Sequence, residues 1–294
     1  VLGRTEAQKK QGRRHFLDGY ANIEYEKRPI GGRRMAKTLG LALGAGSAKG
    51  LAHIGLLQVL EEEKISVDYI SGSSMGAVVG GVYACGTDIA MAAKVIPLLD
   101  AKEYFDWGKP KNGGMMRGER FDELVRLLTK DCEFSQTKIP FTSVAVDLYS
   151  GKLIVQQEGK IHDAVRGSYA IPGIFRPHQW KGMLLVDGGV ISRVPCQTVR
   201  QMGADVVVGV DVGYRGRENN YDIPLERTID YLNASMRIMQ WELAKEQEKA
   251  ADLIIAPFVW DLDSNSLADA EEIIERGRRA AREAVPKIKE LLEL

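Results

Sequence analysis

Val67-Asp68-Tyr69-Ile70-Ser71-Gly72-Ser73-Ser74-Met75-Gly76-Ala77 is the stretch from which the fold can be read. A β-type run, Val67 to Ile70, enters Gly72-x-Ser74-x-Gly76, and small residues from Ala77 to Ala84 leave it in helical style. A sharp strand-to-helix turn of this kind presents its central side chain in a strained, exposed position. Flanking glycines keep neighbouring Cβ atoms from colliding. The helix that starts at once afterwards points unpaired backbone N–H groups at the serine oxygen. Ser74 is thus the candidate nucleophile of an elbow, with Gly72 and Gly76 in support. The five-residue string alone also occurs in ordinary tight turns, and this chain has 31 glycines; the strand and helix on either side give it weight.

Outward from the elbow, strand and helix alternate. The pattern predicts strand 38–43, helix 50–63, strand 68–71 and helix 75–85, then an irregular stretch over 100–118. Strands recur at 141–147, 152–156 and 183–186. Helix 196–202 leads into strand 206–210, and a long helix over 227–250 precedes strand 253–256 and a charged helix from about 268. Near-continuous apolar strands separated by helices indicate an α/β fold with a largely parallel sheet buried on both faces. In the long helix, Ile229, Leu232, Met236, Met239 and Leu243 recur at three-four spacing, which reads as a core-facing stripe. The sharper alternative is a dimer seam, and with it a homo-oligomer.

At 294 residues the chain suits one large domain. Residues 1–34, rich in Lys, Arg, Gln and Gly, show no sustained apolar period and read as an extension or tail. The folded domain is expected over 35–294. Hydrophobic residues make up 45% and charged residues 27%, with a net charge of zero, so bulk electrostatics point to no nucleic-acid partner. Three cysteines without C-x-x-C spacing argue against a disulfide scaffold or zinc site and fit a reducing, cytoplasmic setting. No apolar run approaches the ~20 residues of a membrane span, so membrane contact would be peripheral.

Gly44-Ala45-Gly46-Ser47-Ala48-Lys49-Gly50 follows the first strand and opens the next helix. A dinucleotide fingerprint needs glycine where Lys49 stands, and a P-loop needs Gly-Lys-Ser/Thr, so both fail. The turn can instead serve as an oxyanion hole, its N–H groups converging on a developing negative oxygen. It can also be no more than a tight helix-entry turn. Lys49 brings positive charge near it or anchors the loop.

A serine needs a base. There are four histidines: His15 in the tail, His53 within a helix, His162 and His178. Asp147 followed by His162 or His178 has the order of a Ser-Asp-His triad. The competing base is Asp187 in Val186-Asp187-Gly188-Gly189, an acid read as ending a parallel strand, followed by a permissive turn facing the ligand crevice of an α/β sheet.

Together, the Gly44–Gly50 turn, the Gly72–Gly76 elbow and Asp187-Gly188-Gly189 resemble the patatin-like phospholipase family. The similarity is greatest to its bacterial branch related to the neuropathy target esterase catalytic domain. Gly167-Ser168-Tyr169-Ala170-Ile171-Pro172-Gly173-Ile174-Phe175 also looks like the family segment that precedes the acid. The resemblance runs from about Met35 to at least Asp211. It implies a three-layer α/β/α architecture, a Ser74–Asp187 dyad without histidine, and no metal or other cofactor. Two departures are Ala45, where many members carry glycine, and Lys49, where arginine is more usual.

The expected chemistry is acyl transfer through Ser74, with Asp187 as base and an oxyanion hole from Gly44, Ala45, Gly46, Ser47 and Met75; Gly188 shapes the turn beside the acid. The resemblance points to lysophospholipids, phospholipids or simpler acyl esters as substrates. Tyr104, Phe105, Trp107, Lys109, Lys111, Met115 and Met116 form a candidate flap or lipid-facing surface. The rival classes are an acyltransferase, which would require a histidine partner, and a non-catalytic adaptor, which an intact Ser74 and Asp187 argue against.

Overall fold

The computed structural model describes residues 37–99, 107–111, 114–216, 226–262 and 267–294. The 1–34 segment expected as a tail, and the flap residues Tyr104 and Phe105, lie outside them. In chain order the elements are β1 (Leu39–Leu43), α1 (Ala52–Glu62), β2 (Tyr69–Ser73), α2 (Met75–Ala84), α3 (Ile89–Val95), β3 (Trp107–Lys111), β4 (Gly114–Met116) and α4 (Glu119–Leu128). They continue as β5 (Phe141–Asp147), β6 (Leu153–Gln156), α5 (Ile161–Ser168), β7 (Gly173–Phe175), β8 (His178–Trp180) and β9 (Met183–Asp187). The chain closes with α6 (Cys196–Met202), β10 (Val206–Val210), α7 (Thr228–Gln247), β11 (Leu253–Ile255) and α8 (Ala270–Leu292).

The apolar strands form the middle of an eight-stranded sheet ordered β11-β10-β1-β2-β5-β9-β8, with β6 also on β5. β11, β10, β1, β2 and β5 run parallel. Every residue of β1, β10 and β5 is buried, as strands covered on both faces require. Helices α1 and α8 pack together on one side. The core of α8 is a three-four stripe: Ile273, Ile274, Gly277, Ala281, Val285, Ile288 and Leu292. Among the described residues no helix is long and apolar enough to cross a membrane.

The pairing around β5 positions the site. β6 occupies one edge, with Ser143 opposite Gln156 and Ala145 opposite Ile154. On the other edge β2 runs parallel as far as Ser73 opposite Val144, and β9 takes over antiparallel from Asp187 opposite Ala145. β2 and β9 therefore meet end to end, both by their C-terminal ends. This corrects the expectation that Asp187 closes a parallel strand: the acid arrives from the opposite direction and so stops against the elbow.

Two further expectations change. Within the stretch read as irregular over 100–118, β3 and β4 pair as a hairpin and join β7 in a second, three-stranded sheet. Met116, expected on a flap, is buried there. The predicted core stripe of α7 is not one: Leu232 and Met239 are about 60% exposed, and only Ala244 and Gln247 are buried. The cause lies on the helix's other flank. Trp241 lies against the guanidinium groups of Arg193 and Arg215, at 5.2 and 4.7 Å, and Gln247 donates to the Ile191 carbonyl. These contacts fix the helix's rotation and turn part of its apolar stripe outward.

Candidate active site

Ser74 is the residue between β2 and α2, with φ 54° and ψ −123°. A non-glycine residue in this region costs of order 1–3 kcal/mol, and its neighbours must hold it there. They do so by close approach. A Cβ on Gly76 would lie 2.1 Å from the Leu43 carbonyl oxygen, so only glycine lets α2 start hard against the end of β1. The Ser74 carbonyl accepts from the Ala77 and Val78 N–H groups, and its N–H donates to Ser168 Oγ at 2.9 Å. Ser168 Oγ in turn donates to the Val144 carbonyl at 2.6 Å, tying the elbow to the middle of β5.

Asp187 faces Ser74 across the junction of the two strands. Its carboxylate accepts the Gly189 N–H at 2.6 Å and lies near enough to the Ser74 hydroxyl for that hydroxyl to lower its pKa. Its own N–H donates to the Ala170 carbonyl at 3.0 Å. Gly188 makes the junction possible, because a Cβ there would lie 2.3 Å from the Val144 carbonyl oxygen and 2.9 Å from Ser73 Oγ. Ser74 and Asp187 are 3% and 4% exposed. Burial pushes the Asp187 carboxyl up from 3.8 to about 6, against the opposing hydrogen bonds from Ser74 and Gly189. No cation contacts it among the described residues.

The Gly44–Gly50 turn lies beside this pair: a Cβ on Gly189 would touch the Ala45 methyl at 2.9 Å. Its donors divide in two. The Gly44 N–H donates to the Val210 carbonyl and the Ala45 N–H to the Arg193 carbonyl, both at 2.9 Å, so these two expected oxyanion donors are taken by the scaffold. The Gly46 N–H meets no acceptor among the described residues. Ser47, at φ 50°, opens the following 3-10 turn, where N–H groups precede the first intrahelical bond. Met75 opens α2 in the same way. Lys49 Nζ donates to the Trp260 carbonyl at 3.2 Å, anchoring the turn to the chain beyond β11.

The three histidines among the described residues are engaged elsewhere. His53 is fully buried with Nε2 2.8 Å from the Gly44 carbonyl, and burial lowers it from 6.5 to about 4 despite that bond. It is a neutral buttress under the glycine turn. His162 lies against Asp122 and Asp131, and His178 Nε2 against Asp163 Oδ1 at 2.9 Å. Asp147 accepts from Ser150, Tyr149 and Leu184 at the β5–β6 turn. The alternative triad is not assembled.

Ser168, Ala170 and Arg193 were not singled out from the sequence as parts of the site. The first two lie in the 167–175 segment, whose only signal was its likeness to a family pattern. Arg193, 2% exposed, is held by Asp211 at 2.5 Å and by the Tyr214 carbonyl at 2.7 Å, and its carbonyl supports Ala45. Beside them, Gln240 of α7 reaches within 3.6 Å of where a Gly189 Cβ would lie.

A family model described as "Patatin-like phospholipase" matches residues 41–200, which include the glycine turn, the elbow and Asp187. An uncharacterized NTE family protein of Mycobacterium tuberculosis is 37% identical over 199 residues, covering 67% of this chain and 55% of its own length. Patatin-like phospholipase domain-containing protein 6 of Homo sapiens is 30% identical over 190 residues, 60% of this chain and 13% of that protein. The chain thus spans about half the length of the mycobacterial relative and far less of the human one. Among solved structures, VipD from Legionella pneumophila superimposes with a TM-score of 0.57 at 15% identity, covering 86% of this chain and 67% of that one. At that identity the likeness concerns the fold.

Proposed function

Since the chain belongs to the patatin-like phospholipase family, we propose that it hydrolyses acyl esters of lipids through a Ser74–Asp187 dyad. One observation carries this reading: a buried carboxylate with a raised pKa lies beside the hydroxyl of a strained elbow serine, while His53, His162 and His178 are bound elsewhere. Burial makes Asp187 a better base than an exposed carboxylate, because its pKa moves towards neutrality.

In the first step the Asp187 carboxylate takes the Ser74 proton as Oγ attacks the ester carbonyl. The N–H groups of Gly46, Ser47 and Met75 are the donors offered to the developing oxyanion, each such donor contributing about 3–4 kcal/mol in comparable sites. The alcohol leaves with the proton held by Asp187, and Ser74 keeps the acyl group. Water, deprotonated by Asp187, then attacks the acyl-enzyme; the proton returns to Ser74 and the acid is released. No step uses imidazole.

Lysophospholipids and phospholipids are the favoured substrates. Large apolar side chains are exposed around the crevice end of the sheet: Leu148 and Tyr149 after β5, Phe258 after β11, and Tyr231, Leu232 and Met239 on α7. Such a rim suits peripheral contact with a lipid surface. Hydrolysis of a lysophosphatidylcholine and of a short p-nitrophenyl ester by wild type, Ser74→Ala and Asp187→Asn tests the assignment. Both variants should lose activity on both substrates while staying folded. Activity kept by either folded variant would refute the dyad.

A further inference from the structure

Two of the three cysteines meet at the end of α2 remote from Ser74. Cys85 is the first residue beyond that helix, and its thiol lies near that of Cys132, which follows α4 and donates its S–H to the Glu133 carbonyl at 3.3 Å. Both are reduced. The backbones around them are pinned together. The Lys138 N–H donates to the Ala84 carbonyl at 2.8 Å, Thr87 Oγ1 to the Leu128 carbonyl at 2.6 Å, and Lys130 Nζ to the Gly86 carbonyl at 2.9 Å. Immediately before Cys132, two consecutive non-glycine residues, Lys130 and Asp131, adopt φ of 55° and 52°. Strain of this kind is kept only where the surroundings enforce it, and here it delivers the Cys132 side chain to Cys85. Cys85 is buried and Cys132 half-buried. The third cysteine, Cys196, is fully buried in a separate cluster with Ala42, Val194 and Val199.

We propose that Cys85 and Cys132 form a dithiol that a hydroperoxide oxidises to a disulfide, stapling the nucleophile helix to the segment after α4. Cys132 is the partner that solvent reaches. Its sulfur attacks one peroxide oxygen, the O–O bond breaks, and the thiol proton leaves with the departing oxygen as water (or alcohol, from an organic hydroperoxide), giving a sulfenic acid. The Cys85 sulfur then attacks the Cys132 sulfur; the S–OH bond breaks and the hydroxyl takes the Cys85 proton away as water. Two thiols are oxidised by two electrons and one peroxide is reduced. Burial, reinforced by the contact with Cys132, pushes the Cys85 thiol well above its ordinary range, with the Lys130 ammonium opposing. Cys85 is thus suited to resolve rather than to meet the oxidant first. The disulfide would close a loop containing α3, β3, β4 and α4. Ser74 lies at the opposite end of a ten-residue helix, about 15 Å away, so the staple should change stability more than chemistry.

The test treats the purified chain with hydrogen peroxide and reads intact mass, a non-reducing peptide map and thermal melting. Wild type should lose about 2 Da, yield a Cys85–Cys132 cross-linked peptide, and melt roughly 5 °C higher. Dithiothreitol should reverse all three. Cys132→Ser should show no mass loss and no shift in melting, and Cys196→Ser should behave as wild type. Cys85→Ser, if it folds, should carry Cys132 on to the sulfinic acid, about 32 Da heavier. The proposal is overturned if wild type gains oxygen at Cys132 without a cross-link, links between chains, or leaves both thiols unchanged under peroxide that oxidises free cysteine.

Discussion

Asp187 and Asp211 are both buried carboxylates at strand ends beside the glycine-rich turn, yet their surroundings are opposite. Asp211, just past β10, accepts from Arg193 at 2.5 Å and Arg215 at 2.6 Å, and takes the Gly213 N–H at 3.0 Å. Arg215 also pairs with Glu248 at 2.8 Å, and both arginines lie against Trp241. Asp187 receives the Gly189 N–H and lies beside the Ser74 hydroxyl. The two guanidinium groups on Asp211 knot β10, α7 and the 191–193 segment together. Asp187, without a cation, is raised by burial to about 6. Placement of arginine thus separates a structural carboxylate from one able to act as a base.

Exchanging each acid for its amide should separate these roles. Asp187→Asn is expected to lower kcat for ester hydrolysis by about 10²–10⁴-fold, the usual contribution of a general base. The same change should stabilise the fold. A carboxyl raised in the folded state contributes stability in full below its unfolded value of 3.8 and loses it as pH rises through about 6. That rise corresponds to about 3 kcal/mol, so Asp187→Asn should melt higher than wild type at pH 8, with the gap closing below pH 4. Asp211→Asn should do the reverse. It leaves Arg193 buried without its partner, a loss of about 3–5 kcal/mol, read as a lower urea midpoint. If Asp211→Asn proved neutral in stability while Asp187→Asn destabilised, the contrast would collapse.

Smaller effects sharpen it. Ser168→Ala removes the acceptor of the Ser74 N–H and leaves that group buried and unpaired, a cost of about 1–3 kcal/mol. Stability should fall by that amount and kcat should fall with KM little changed. The smallest effect is expected from His162→Ala and His178→Ala, whose carboxylate partners lie on α4, α5 and the turn after α4. Each should keep kcat/KM within about twofold of wild type, since no stabilisation of the transition state is removed; a collapse in either would restore the triad.

Much of this was legible in the sequence because local chemistry left marks. The elbow and the glycine turn show themselves through glycines that a strained turn demands, and the apolar strands through continuous burial. The partner of Ser74 could be narrowed from the scarcity of histidines and the Asp187-Gly188-Gly189 turn. What escaped depends on partners distant in sequence. The direction of β9 follows from its pairing with β5, which no local pattern encodes. Gly44 and Ala45 looked like oxyanion donors, but their N–H groups go to Val210 and Arg193. The stripe on α7 misled because period alone cannot say that a buried charge cluster will fix the helix's rotation.

The central claim is that Asp187 alone serves as base for Ser74, and fluorophosphonate labelling as a function of pH tests it most directly. Wild type should be labelled on Ser74, at a rate that rises with pH through a midpoint of about 6 as Asp187 loses its proton. In folded Asp187→Asn the rate should drop and this pH step should vanish. Labelling at another residue, or an unchanged rate and midpoint in Asp187→Asn, would contradict the account.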